Sequence, residues 1–436
     1  MIGLATIMVI IIVWGAVSRP LDRRGVTSAI IFVGAGFMAG ATVFGLLDVS
    51  VESEVAQRVT EVALVLLLFS DAARLDLRAL RHELGWPSRL LLIGLPLTML
   101  AGAGVGLLVF PGMALASVFL LSIMLSSTDA ALGQKVVTDP SVPARVRQAL
   151  DVESGLNDGL AVPFFLVALD LANAELTTGV TWAVVSNAAE QIGWGLAAGL
   201  AAGLFGALLF RLAARRGWIG GEWRQIVVLA AALLAYALAL TLGGSGFIAA
   251  FVGGLAFGRF SAQQGSAVTL FTEEAGGLLA AVTWIGFGAL ALGLAIPHVT
   301  WQIALYAALS LTLVRMLPVA IAMAGQGMRR PTVAFIGWFG PRGLASVVFA
   351  LLVVERGVPE EQTLLTTVVL TVALSVLLHG LTSAPLVGAY HRWYESQAKV
   401  HPAAAEAATA TMPRRRRQLA AADLKRLRQA ERPDEQ

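Results

Sequence analysis

Apolar residues fall in long blocks along the chain, near 2–17, 26–47, 54–71, 88–110, 114–137, 147–171, 187–212, 223–241, 246–258, 272–296, 300–322, 332–354 and 362–387, with polar stretches between them. A helix needs roughly 20 such residues to cross about 30 Å of hydrocarbon. The pattern predicts an all-α polytopic membrane protein of about thirteen transmembrane helices, the ninth of them short. No basic segment precedes the first block, and Arg19, Arg23 and Arg24 follow it in place of a small-residue cleavage site, so it is expected to remain as a span.

Thirteen spans divide as six, one and six, and a single linking span makes the second six start from the opposite face. This predicts two inverted six-helix repeats. In such transporters interrupted helices at matching positions mark the substrate site. Ser126-Ser127-Thr128-Asp129 interrupts the fifth block, and Gly340-Pro341-Arg342-Gly343 interrupts the twelfth, which is fifth in its own half. Both interruptions carry a charge where lipid forbids one.

Composition sharpens the class. Of 436 residues, 57% are hydrophobic and 14% charged, more apolar surface than one soluble core hides. Cysteine is absent, which excludes disulfides, thiolate metal sites and cysteine nucleophiles, and five histidines without HExxH spacing offer no zinc site. No cofactor and no nucleic-acid partner is expected. Placement of charge matters more than its net value of +3. Of the 31 Lys and Arg, 27 lie in alternate loops or in the tail from Arg392, leaving Arg58, Arg315, Arg342 and Arg356. Basic residues are retained on the cytoplasmic side, so the N-terminus is expected outside and the C-terminus in the cytoplasm of a cell membrane. From residue 396 to 436 the chain reads as a basic cytoplasmic tail on anionic lipid.

A charge at mid-membrane costs about 2.5 to 3.5 kcal/mol on insertion scales, so each needs a partner, a wet cavity or a job. Asp129, Glu153, Asp158, Arg315 and Arg342 are the candidates, three acids against two bases. On a helix Glu153 and Asn157 lie four apart, and so do Ser154 and Asp158. The first strip is expected to pair Glu153 with Arg315 and to steady it with the Asn157 amide. The second offers the Asp158 carboxylate and the Ser154 hydroxyl to a metal cation. Thr128 and the carbonyls of its break can complete an oxygen shell of the kind a small hard cation takes. Na⁺ is thus expected at Asp158, Ser154 and Thr128. A carboxylate that holds either a proton or a cation, carried across the membrane by a moving bundle, performs antiport. One carboxylate carries one Na⁺ or one H⁺, which predicts electroneutral one-for-one exchange. A second acid in place of Asn157 would make net charge feel about 2.3 kcal/mol per 100 mV.

The same stretches resemble the monovalent cation:proton antiporters of the NhaP type, relatives of the animal sodium/proton exchangers. They read LLFSDAARLDLRALR from Leu67, SSTDAALGQKVVTDP from Ser126, VRQALDVESGLNDG from Val146, GSGFIAAFVGGLAFG from Gly244 and WFGPRGLAS from Trp338, covering roughly residues 1–390. The resemblance implies an Asn157–Asp158 pair with Asp158 binding cation or proton, a helix-break pair at Thr128 and Asp129, and Glu153, Ser154, Arg315 and Arg342 in the family's corresponding roles. It also implies a homodimer, with an ion-transport bundle at 88–171 and 300–387 and a dimerisation part at 1–72 and 187–296, within a transmembrane domain of 1–395. Lys135 and Asp151 depart from the pattern, both toward the cytoplasmic mouth.

Blander readings stand beside these. Asp129 and Arg342 also serve to neutralise the exposed ends of broken helices, and Glu153 with Arg315 is expected as a structural ion pair. Arg58 and Glu61 read as a local pair near the outer interface, His298 and His379 as interfacial residues at span ends, and Glu273 and Glu274 as a solvated surface. The preferred cations are Na⁺ and Li⁺, with K⁺/H⁺ exchange as the alternative on the same fold. A cation channel or ion sensor is the alternative of another class, and no nucleophile–base constellation suggests an enzyme.

Overall fold

Inside a bilayer every backbone N–H and C=O must find its partner within the protein, and helices do this segment by segment. The computed structural model describes residues 2–23, 25–47, 54–75, 85–129, 131–177, 182–220, 222–261, 266–398 and 406. Arg24, Arg78, Arg81 and, apart from Glu406, the tail beyond Ala398 lie outside the described residues. Helices dominate: α1 Ile2–Arg23, α2 Ser28–Ala39, α3 Glu54–Arg74, α4 Gly85–Val109, α5 in two pieces Leu115–Met124 and Gln134–Thr138, and α6 Ala144–Thr177. There follow α7 Trp182–Arg215, α8 Trp223–Thr241, α9 Gly246–Ser261 and α10 Leu270–His298. Last come α11 in pieces Trp301–Leu311 and Leu313–Ala322, α12 in pieces Arg330–Trp338 and Leu344–Arg356, and α13 Glu361–Ala398. Among the described residues, eight helices are long and apolar enough to cross a membrane, and Ser28–Ala39, Leu115–Met124 and Gly246–Phe260 are shorter apolar helices.

Each predicted block is a helix or a helix pair, with two differences. The second block reads as apolar to residue 47, but its helix stops at Ala39, and the chain turns from Gly40, which lies against the backbone of Ala289. The eleventh block is broken at Thr312, whose φ of −113° and ψ of −90° are not helical. Pi-helical turns at Leu90–Gly94 and Phe287–Leu292 loosen α4 and α10. The first sits beside Pro96, which has no N–H to give the ladder.

Packing falls into two sets. In one, α3 lies on α8, α9 and α10, α2 on α10, and α7 on α8 and α9. A methyl group on Gly195, Gly199 or Gly203 of α7 would meet the carbonyl of Ser245, just before α9, or of Ala249 or Gly253 within it, so small residues four apart let these backbones touch. In the other, α4 packs on α5 and α11, α5 on α6, and α11, α12 and α13 on one another. Phe165 of α6 stacks on Phe349 of α12 with ring centroids 4.2 Å apart. At one end of α12, Glu406 accepts from the Arg329 N–H and the Thr332 hydroxyl, each at 2.9 Å.

Candidate functional site

The breaks of α5 and α12 meet. After Met124 and Trp338 the helices unwind, and each unwound strand satisfies groups the other leaves bare. The Asp129 N–H donates to the Pro341 carbonyl at 2.8 Å, and the Ser346 hydroxyl donates to the Met124 carbonyl at 2.6 Å. The Asp129 carboxylate accepts from three backbone amides: Leu344 at 3.0 Å, Ala131 at 2.7 Å and Leu132 at 3.4 Å. It thereby caps the second piece of α12 with a negative charge at a helix N-terminus. Arg342 does the converse at a C-terminus. Its guanidinium, fully buried, donates to the carbonyls of Ser126 at 2.7 Å, Ser127 at 3.1 Å and Ser310 at 3.4 Å. Ser310 lies two residues before the unpredicted break in α11.

Two glycines of the α12 break make room for these charges. A methyl group on Gly343 would overlap the Asp129 carboxylate, and one on Gly340 the Arg315 guanidinium. Both neighbours are held from several sides, so they cannot swing away cheaply. Gly343→Ala is therefore expected to destabilise the protein by about 1 to 3 kcal/mol, the usual range for overpacking. Thermal unfolding of the purified protein checks this, with Gly104→Ala, where no atom lies within 4 Å, as the control that stays near wild type.

The polar side of α6 faces this crossing. Glu153 and Arg315 form a two-armed ion pair, both side chains 3% exposed, with Arg315 Nη2 to Glu153 Oε2 at 2.9 Å. The expectation that Asn157 steadies Glu153 does not hold. Arg315 takes both carboxylate oxygens, and Asn157 Nδ2 donates instead to Thr128 Oγ1 at 2.6 Å. Ser154 Oγ lies 3.0 Å from the same Thr128 oxygen. Thr128, Ser154 and Asn157 thus form one knot between α5 and α6. Beside it, Oδ1 of Asn157 and Oδ1 of Asp158 are buried with no hydrogen-bond partner. The candidate residues are all together here, but they divide: Glu153 and Asp129 are satisfied, and Asp158 is not.

Two residues near Asp158 escaped the sequence reading. The Ser127 hydroxyl is the side-chain neighbour of its carboxylate, and the charge of Asp71 on α3 also acts on it. The Asp71 Cβ lies 3.8 Å from where a Gly155 methyl would stand. Asp71 also lies 4.0 Å from Arg74, three positions on. Arg74 also pairs with Glu273 across α3 and α10, so Glu273 is no bare solvated surface. Arg58 and Glu61 do pair, at 3.0 Å, and the Tyr236 hydroxyl of α8 donates to Glu61 at 2.7 Å. His298 is exposed, whereas His379 is buried among its neighbours at 1% exposure.

With this geometry in view, similarity to known proteins becomes informative. The family profile described as "Sodium/hydrogen exchanger, transmembrane" matches residues 6–389. The K(+)/H(+) antiporter NhaP of Alkalimonas amylolytica is 25% identical over 375 residues, covering 85% of this chain and 63% of that protein. The K(+)/H(+) antiporter NhaP2 of Shewanella baltica is 28% identical over 386 residues, covering 83% and 62%. The chain thus spans a little under two thirds of the length of these relatives. In fold it is similar to the sodium proton antiporter MjNhaP1 of Methanocaldococcus jannaschii, with a TM-score of 0.69 and 19% identity over 87% of this chain and 99% of that one.

Proposed function

The chain belongs to the transmembrane sodium/hydrogen exchanger family, and from that premise we propose that it is a secondary transporter exchanging one Na⁺ or Li⁺ for one H⁺ at Asp158. The single observation that carries this reading is the division of the buried acids. Glu153 is bound to Arg315 and Asp129 to backbone amides, while Asp158 keeps a buried oxygen without a donor. A proton or a cation is what such an oxygen can take. Thr128 and Ser154 supply hydroxyl oxygens next to it, and Asn157 supplies a neutral amide where a second acid would add charge. In this reading α4–α6 with α11–α13 form the moving bundle, α1–α3 with α7–α10 form the dimerisation part, two copies assemble, and the basic loops and tail face the cytoplasm.

K⁺/H⁺ exchange is the second reading, favoured by the names of the two bacterial relatives. One experiment addresses both. Protein reconstituted in vesicles is given a pH gradient, and Na⁺, Li⁺ or K⁺ is added while the internal pH is followed. Na⁺ and Li⁺ are expected to move protons, at an initial rate that an imposed voltage leaves unchanged. A response to K⁺ alone selects the second reading, a voltage-dependent rate removes one-for-one exchange, and silence with every cation removes antiport.

A further inference from the structure

The break in α12 takes two backbone groups out of the helical ladder, the Trp338 carbonyl, which accepts only the Gly340 N–H at 2.8 Å within the break, and the Arg342 N–H beyond it. One turn of α13 answers both. His379 Nε2 lies 2.8 Å from the Trp338 oxygen, and Ser375 Oγ accepts the Arg342 N–H at 2.7 Å. Ser375 Oγ is itself 3.2 Å from His379 Nδ1. A neutral ring satisfies the set: Nε2–H donates to Trp338, Nδ1 accepts the Ser375 hydroxyl proton, and the hydroxyl oxygen accepts from Arg342. This tautomer is assigned from the Nε2–Trp338 and Nδ1–Ser375 hydroxyl contacts. Nδ1 also lies 2.9 Å from the Ser375 carbonyl, so a doubly protonated ring would find two acceptors. It would also add a third cation to a buried region where Arg342 of α12 and Arg315 of α11 already act on it, with Glu153 of α6 engaged by Arg315. The Trp338 ring lies 5.1 Å from the imidazole, and its indole N–H donates to Thr382 at 3.0 Å, so the same residue is held to α13 twice more.

We propose that His379 is a positioning residue for the exchange. Through Trp338 and Ser375 it fixes the unwound segment of α12. Through Arg342, whose guanidinium holds the Ser126 and Ser127 carbonyls, it sets the α5 break that carries Thr128. The transport role rests on the antiport reading above; the clamp itself does not.

The test compares His379→Leu, His379→Gln and Ser375→Ala with the wild type in vesicles and by amide hydrogen exchange at residues 339, 340 and 342–344. Glutamine places a donor near the position of Nε2 and carries no titratable group. His379→Leu is expected to raise the apparent KM for the cation about tenfold, as loss of a buried hydrogen bond does, and to speed amide exchange in the break. His379→Gln is expected to keep the wild-type pH profile and KM within about twofold. Ser375→Ala, which frees the Arg342 N–H, should follow the leucine variant, and it decides the matter if His379→Leu does not fold. Unchanged KM and unchanged amide exchange in both disruptive variants would overturn the proposal. So would a shifted pH profile in His379→Gln, which makes the ring a titrating group. If the wild type moves no protons the antiport reading fails and takes the transport role with it, while the amide exchange still tests the clamp.

Discussion

Asp158→Asn is expected to abolish cation-driven proton movement while leaving the protein at least as stable as the wild type. A carboxylate about 4 Å from a monovalent cation at an effective dielectric near 20 contributes about 4 kcal/mol, roughly three powers of ten in affinity. The amide loses that attraction and also has no proton to exchange. Asparagine keeps the shape of the side chain, and it removes a charge whose Oδ1 is buried without a donor. Removal of such a charge does not weaken a fold. The two readouts together discriminate: a carboxylate that serves interhelical bonding would lose thermal stability first and transport second. Vesicle assays of the variant beside the wild type, with thermal unfolding of both, decide the matter. Full exchange by Asp158→Asn would end the claim that Asp158 is the working residue.

Much of this arrangement was legible in the sequence because lipid leaves few options. Helix positions followed from apolar continuity, and both crossing breaks followed from glycine, proline and charge set inside apolar blocks. Glu153 and Arg315 could be paired on charge alone, since neither survives naked in a membrane. What the sequence hid are features whose cause lies on another helix. Residues 40–47 are apolar enough to continue α2, yet the chain turns there, with Gly40 against the backbone of Ala289 and Gly45 at a φ of 63°. Thr312 carries no break signal of its own, although the carbonyl of Ser310 just before it serves Arg342. His379 looks interfacial by its place in α13, yet its Nε2 meets the open backbone of α12 at Trp338 while its Nδ1 meets Ser375 of its own helix. Asn157 and Glu153 share a helical strip, but strip membership says nothing about which neighbour arrives first. The guanidinium of Arg315 occupies both oxygens and turns the amide toward Thr128.

Breaking the Glu153–Arg315 pair from either side is expected to destabilise the protein by about 3 to 5 kcal/mol, because the remaining charge is left buried and alone. Glu153→Gln strands the guanidinium against Gly340, whose missing side chain is what admits it. Arg315→Met strands the carboxylate in the middle of α6. Replacing both at once with Glu153→Gln and Arg315→Met removes both charges, so the double variant is expected to lose less stability than the sum of the single variants, the coupling that a double-mutant cycle isolates. Thermal midpoints of the wild type, the two single variants and the double variant in one detergent measure it. A Glu153→Gln protein that melts with the wild type and transports fully would contradict the pairing. The pair joins α6, in the first half of the chain, to α11, in the second, beside the crossing of the two breaks. If the double variant recovers stability without recovering exchange, its contribution is to hold the two halves of the proposed bundle in register as they move, since a neutral pair packs as well but does not hold the arms in one geometry. If it recovers both, the charges act only as a structural contact.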